Sequence, residues 1–534
     1  MNDMNDRYAL PRSLPALVAA LGLAGCAAGP DFRQPPLPDT RSYTAGPLDA
    51  RTASAATALG DAQHFVVGLP ADARWWRELR SPRLDALVES ALAANPSLAA
   101  ARATLRQARE QHAAKAGSTR LPQVEASLGA QHQRATPGTL GLSGDPRDFD
   151  LLDAGVGVRY HLDLAGGDRR TLEALAARGD YRSHELEAAR LVLAGRIATT
   201  AIVRARLAGQ IDATMALLRG QVDQVRLAHE RLRLGQAAAE EVLALHARAE
   251  QTRAEMAPLV KQLRQAEHLL AVLSGRAPDA EGVPEFTLDE FTLPGELPVA
   301  VPSELVRRRP DIRASEALLR AANADYGVAV SKLYPDVTLS ANLGSQALTA
   351  AALFGGSTAV GALGAQLVQP LFMPGLAAEK RAARAAFDAA LANHQAVVLE
   401  AYRDVADSLR AVESGAHALA ALSAAAYAAE RSSDSVERRY RLGAASHIES
   451  LVAGEQAQRA RLALVAARAQ RLADSVALYL AVGAGAQTGA PGTDPSRATR
   501  RSRRCNNPSI FGEQAMNGGR VAIVTPGGSG MRAA

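Results

Sequence analysis

The chain has 534 residues, of which only 4% are aromatic and 22% charged, with alanine throughout. That mixture suits long packed helices better than a core of large side chains. The net charge of +5 is carried from Gly485 onward, where seven arginines face two acids, so the body is neutral and offers no nucleic-acid surface.

At the N-terminus, Arg7 and Arg12 precede the apolar run Leu14 to Leu23. Residues 1–25 therefore read as a signal peptide, too short for a spanning helix. Leu23-Ala24-Gly25-Cys26 resembles a bacterial lipobox, in which cleavage before Cys26 frees its amine and thiol for acylation. The prolines after Gly29 (Pro30, Pro35, Pro36) disfavour helix, so residues 26–74 read as an acylated tether with little core of its own.

From Trp75 the sequence says one thing twice. Asn95-Pro96-Ser97-Leu98 matches Arg309-Pro310-Asp311-Ile312, Leu121-Pro122 matches Tyr334-Pro335, and Arg231-Leu232-Arg233-Leu234-Gly235 matches Arg439-Tyr440-Arg441-Leu442-Gly443. The order and near-constant offset make residues 75–281 and 303–484 two copies of one unit, joined by a proline-rich linker over 282–302.

Each copy opens with a helix whose first residue is proline, a position where the missing N–H costs nothing. A β-hairpin follows, 122–163 in the first copy and 335–371 in the second. Val124, Ala126, Leu128 and Ala130 alternate with Glu125, Ser127, Gly129 and Gln131, and Val337, Leu339, Ala341 and Leu343 with Asp336, Thr338, Ser340 and Asn342. Strands apolar on one side and polar on the other fit an outer-membrane barrel or a half-buried soluble hairpin. The glycine-rich stretches Arg134 to Asp150 and Gln346 to Thr358 read as loops.

Long helices come next, over 166–234 and 375–442, each ended by a glycine, Gly235 or Gly443. Val398, Tyr402, Val405, Leu409 and Val412 keep a four-three spacing, the seam of a coiled coil; Ile211, Leu218, Val222, Val225 and Leu232 mark the counterpart. Return helices follow over 239–273, where Pro258 predicts a kink, and 446–482. The Gly-, Pro- and Arg-rich tail 485–534 reads as disordered.

The predicted fold class is α+β, mostly α. Four strands cannot close a barrel, for which about eight is the minimum. Open strand edges cannot face lipid either, since each unpaired backbone group there costs several kcal/mol. If the hairpins enter a membrane, several chains share one barrel, and the long helices need neighbours along their whole length.

These features resemble the TolC-like outer-membrane efflux factors, in the lipoprotein branch that serves resistance-nodulation-division pumps. The likeness runs from Cys26 to Val482 and rests on Gly29-Pro30-Asp31-Phe32, Trp75-Trp76 with Leu84 and Leu87, Pro302 to Ile312, Tyr334-Pro335, Val405-Ala406-Asp407 and Arg439 to Gly443. It implies a homotrimer with a twelve-stranded β-barrel in outer-membrane lipid, continuing into a periplasmic tunnel of twelve helices. It further implies docking on a periplasmic adaptor and an inner-membrane transporter, and outward conduction of small molecules without catalysis.

The resemblance also places a constriction at the turns marked by Gly235 and Gly443. Glu449 stands at one acidic gate position of the family, Tyr440 and Ile448 at packing positions beside it, and Glu241 at the equivalent site of the first copy. A second acidic gate position is Val452 here, which puts a double acidic ring in doubt. The plainer reading of Glu241 and Glu449 is first-turn acids favoured by the helix dipole. Arg438, Arg439 and Arg441 fit an adaptor contact or a favourable C-terminal cluster.

Two cysteines, Cys26 and Cys505, allow no disulfide framework, and the histidines show no metal-ligand spacing. No cofactor is expected beyond lipid on Cys26. Two other readings stay open: a structural periplasmic coiled-coil lipoprotein, and the channel of a protein or peptide exporter.

Overall fold

Proline sets where many of the helices begin. In the computed structural model, which describes residues 27–36, 40, 42–44, 46–136, 145–355 and 358–485, the first copy holds α1 (Pro82–Ala94), α2 (Pro96–Arg120), β2 (Gln123–Ala135), β3 (Arg147–Leu162), α3 (Gly167–Arg233) and α4 (Ala239–Leu273). The second holds α5 (Pro302–Arg308), α6 (Pro310–Ser331), β5 (Asp336–Ala347), the short α7 (Ala350–Leu353), β6 (Ala359–Val368), α8 (Pro374–Arg441) and α9 (His447–Ala481). Two further short strands, β1 (His64–Val67) and β4 (Glu296–Val299), precede the copies and lie between them. Asn95 caps α2, its Oδ1 accepting from Ser97 N at 2.9 Å and Leu98 N at 3.3 Å.

At 67 and 68 residues, α3 and α8 each extend about 100 Å. The α8 seam is where spacing put it: Val398, Tyr402, Val405, Leu409 and Val412 are all buried. The α3 seam is corrected. Ile211 is buried, but Leu218, Val225 and Leu232 are half-buried and Val222 is exposed. The larger buried residues of α3 are earlier ones, among them Leu186, Leu193, Ile197 and Ile202. These pack with α1, α2 and the Trp75–Leu79 turn, neighbours that the later stretch of α3 lacks. α4 continues through Pro258 without a break.

The main core sits where α1, α5, the middles of α3 and α8 and the C-terminal part of α9 meet. Trp75, fully buried, stacks on Tyr479 with ring centroids 5.5 Å apart. Trp76 lies edge-on to Trp75, and its Nε1 donates to Asp85 at 2.9 Å.

As expected, the described residues before Trp75 contribute no fully buried apolar side chain, but they are pinned across the core rather than left as a free tether. β1 pairs in parallel with β4, His64 to Glu296 through Val67 to Val299. The Tyr43 hydroxyl donates to Ala300 O at 2.8 Å. Gln63 Nε2 donates to Pro294 O and Ser475 Oγ, while the buried Arg471 donates to Asp61 O and Gln63 Oε1 at 3.0 Å each. The linker 282–302 buries Phe286, Phe291, Leu293 and Leu297. Backbone kept out of helix is extended backbone, and it is free to pair and to lie across helices.

The hairpins form one antiparallel sheet in the order β2-β3-β5-β6. The first hairpin is longer than sequence suggested. Residues 147–150 and 134–135, expected in a loop, are paired strand. His132 lies opposite Asp150 with 2.8 Å between Nδ1 and Oδ1, and Arg134 opposite Asp148 at 3.6 Å. Cross-strand polar pairs extend the ladder past the apolar stretch. The signal peptide, Cys26 and residues 486–534 lie outside the described residues.

Candidate functional site

Alternation along each strand becomes two faces of one sheet because the register is in phase across all four strands. One row reads Val124, Val158, Ala341, Leu363, and the next Ala126, Val156, Leu343, Gly361. On the other face the rows are Gln123, Arg159, Ser340, Gly364 and Glu125, Gly157, Asn342, Ala362. The apolar face is open: Leu363 is 88% exposed, Leu128 79% and Leu343 71%. The polar face curves around a cavity of about 450 Å³ lined by Glu125, Ser127, Arg159, Ser340 and Asn342 among others. A sheet that turns leucine outward and glutamate and arginine inward is inverted relative to a water-soluble protein. It matches a lipid-facing wall around an aqueous lumen. Among the described residues, β2 and β6 have no partner on their outer edges.

Just before α3, the chain is tied to the residues that follow Cys26. Ala28 N donates to Ala165 O at 2.7 Å. The buried Arg170 reaches Ala28 O and Gly29 O, each at 3.2 Å, and Asp31 Oδ1 at 2.8 Å. Gly29, at φ +83°, lies so close to Gly327 that a Cβ would stand 2.8 Å from its Cα. Asn323 holds Pro30 O at 3.0 Å, and Arg320 covers the Phe32 ring. The segment next to the predicted lipid site is thus clipped to α3 and α6, within a few residues of where β3 ends.

The far ends of α3 and α8 turn back through the same backbone geometry. Gly235 and Gly443 have φ of +73° and +74°. Each glycine N–H donates three residues back, to Leu232 O and Tyr440 O at 2.9 Å, and the next N–H reaches Arg231 O or Arg439 O at 2.7 and 2.8 Å. This bond pair is the Schellman motif, which needs a left-handed residue at the glycine.

Side chains then distinguish the two tips. In the second, Ser446 Oγ accepts from Glu449 N at 3.2 Å, while Glu449 Oε2 accepts from Ser446 N at 2.6 Å. That capping box holds the exposed Glu449 carboxyl below its ordinary pKa, the Ser446 backbone N–H being the main cause. In the first tip Ala238 caps without a side chain. Glu241 is half-buried and accepts from Arg231 Nη1 at 3.2 Å. The same nitrogen stands 3.5 Å from the Tyr440 hydroxyl, and Arg231 Nη2 donates to Gln236 O at 3.1 Å.

Of the four candidate gate residues, then, Glu241 and Tyr440 come together through Arg231, whereas Glu449 is engaged with its own helix start. Ile448, 72% exposed, and Val452 stand open beside them. Sequence reasoning missed Arg231 and also His447, whose ring lies 5.3 Å from that of Tyr440. The Arg-x-x-x-Gly repeat located Arg231 but gave no sign of its partners. The capping box of Ser446 with Glu449 was likewise not read from the sequence, which gave Glu449 only as a gate or first-turn acid.

The family model "Outer membrane efflux protein" matches residues 87–276 and 301–484. The pyoverdine export outer membrane protein OpmQ of Pseudomonas aeruginosa is 33% identical over 425 residues, covering 78% of this chain and 88% of that protein. The probable efflux pump outer membrane protein TtgC of Pseudomonas putida is 29% identical, covering 89% of this chain and 96% of its own. Among solved structures, the outer-membrane channel OprN superposes with a TM-score of 0.76 at 28% identity, over 86% of this chain and 99% of that one.

Proposed function

The chain belongs to the outer membrane efflux protein family and is the outer-membrane channel of an efflux pump, and on that premise we propose that three copies close into one conduit. The observation that carries this is the inverted sheet with its two free edges. β6 of one copy pairs with β2 of the next, in the antiparallel sense that the strand order already follows. Two copies would supply about eight strands, whose interior fills with side chains; three supply about twelve and leave room for water. The polar face with Glu125, Arg159 and Asn342 then lines the lumen, and the leucines face lipid.

The conduit passes small molecules outward by diffusion and does no chemistry of its own. The OpmQ relative is named for export of pyoverdine, a precedent for cargo of that size class. Acylation of Cys26 anchors the mature chain, with the Arg170 clip holding the adjoining residues close to the membrane-facing strands. At the other end the turns around Gly235 and Gly443 form the periplasmic aperture, where Arg231 ties Glu241 to Tyr440, and Ile448 and Glu449 flank the opening. A periplasmic adaptor and an inner-membrane resistance-nodulation-division transporter complete the pump. An exposed leucine row is costly for a protein confined to water, which weighs against a purely structural coiled-coil lipoprotein.

Conductance of the purified protein in a planar bilayer, read with its mass in detergent, tests this. The expected result is a trimer with discrete conductance steps. A monodisperse monomer that stays soluble without detergent and forms no pore would refute it.

A further inference from the structure

His447 is the first residue of α9, directly after the Ser446 cap. Its ring tilts 42° against that of Tyr440, and both ring nitrogens are shut off from solvent without a hydrogen-bond partner. Leaving a buried polar nitrogen unpaired costs about 1–3 kcal/mol. Packing alone does not favour a histidine there.

Two charged groups act on this ring, and the other ionisable side chains of the packed elements are engaged elsewhere. Arg231 comes from α3 and Glu241 from α4, paired at 3.2 Å. From α8 come Tyr440 and, one residue before it, Arg439, whose guanidinium is turned to Ala444 O at 3.0 Å. On α9 itself Glu449 is turned to Ser446, and Glu455, further along, meets Arg248 of α4. Burial pushes the imidazole below its ordinary pKa, with Glu241 pulling it up and Arg231 pushing it further down. Histidine is the side-chain type in this cluster whose ordinary pKa, about 6.5, lies nearest neutrality.

We propose that His447 is a proton-responsive gating residue: its neutral ring packs into the Arg231–Glu241–Tyr440 cluster and holds the two tips together, and protonation expels the ring and loosens the tie. An imidazolium there would set a second cation beside Arg231 and compete with it for Glu241. This rests on the reading of the tips as the aperture.

The direction follows from linkage. The packed ring disfavours the proton, whereas an expelled ring titrates near the ordinary histidine value of about 6.5. Above that pH neither form is protonated and the tie is at full strength. As pH falls through it the expelled form gains a proton first, so the tie weakens by up to about tenfold in population per pH unit, until the packed ring is protonated too.

Full-length acylated protein in planar bilayers, compared at about pH 7.5 and about pH 5.5 on either side of the histidine range, tests the proposal. Acid is expected to raise the open fraction of the native channel. His447→Phe keeps a ring but cannot titrate, so it should stay at the low level at both values, and His447→Lys should be high at both. An acid response of the Phe variant equal to the native one, or a native channel that ignores acid, overturns the sensor. Arg231→Ala at the higher pH separates the two readings. If it opens the channel while the sensor test fails, the aperture stands without His447; if it also changes nothing, the aperture reading itself falls.

Discussion

At the sheet, β2 and β6 leave whole edges of backbone unpaired and Leu128, Leu343 and Leu363 stand in the open. At the tips, by contrast, each turn's backbone is bonded within the protomer, and only side chains are left over. The difference separates two kinds of demand. An unpaired backbone group in lipid costs several kcal/mol, and a strand edge carries a row of them. A tip contact between part-exposed charges is worth about 0.2–1 kcal/mol. On the proposed reading, assembly is decided at the sheet and the opening is adjusted at the tips, where small energies would change populations without breaking the ring.

The largest effect is expected at the sheet. Leu363→Arg puts a charge on the outward face and should cost about 2–4 kcal/mol per copy if that face meets the middle of the bilayer. The measure is the fraction running as a heat-sensitive oligomer in detergent, and an unchanged fraction would show that the leucine row does not face lipid. Closure itself can be trapped covalently. Leu121 precedes β2, and Phe372, 87% exposed, follows β6. Antiparallel pairing of those edges brings the two positions together only between copies. Leu121→Cys with Phe372→Cys should yield oxidised dimers and trimers on a denaturing gel, and monomer alone would argue against the β6–β2 joint.

Smaller effects belong to the tips. Gly235→Ala and Gly443→Ala place a Cβ on a left-handed residue and should each cost about 1 kcal/mol. Thermal melts of the two variants test whether the shared backbone has a shared strain. Arg231→Ala removes the tie between the two tips of one protomer and should raise the open fraction by no more than about fivefold. A larger rise would mean that the tips carry more of the closing energy than their contacts explain. Smallest is the cap difference: Ser446→Ala should speed amide exchange in the first turn of α9 by about fivefold, the equivalent of about 1 kcal/mol. Ala238→Ser should slow exchange at the start of α4, making the first tip resemble the second.

Several of these features were legible in the residues. The proline–glycine punctuation located the two copies, and the four-three spacing of Val398 to Val412 located a buried seam. The α3 seam misled because its later apolar residues keep the spacing but have fewer elements against them. The stretch before Trp75 read as a tether for a related reason. Tyr43, Gln63 and Phe65 find their partners hundreds of residues away, at Pro294 to Ala300 and at Arg471 and Ser475. Nothing local announces such contacts. At the tips, Gly235 and Gly443 were readable as helix ends, and Glu241 and Glu449 as first-turn acids. Arg231 and His447 were not, because their neighbours come from four different helices.

Periodicity, breakers and caps act over a few residues, so the amino-acid sequence alone determined the helices, the two-faced strands and a strand count too small to close a barrel. Which charge meets which, where the extended N-terminal segment lies, and why the ring nitrogens of one half-buried histidine have no hydrogen-bond partner were decided only when distant segments packed. Those energies depend on distances that no spacing along the chain encodes.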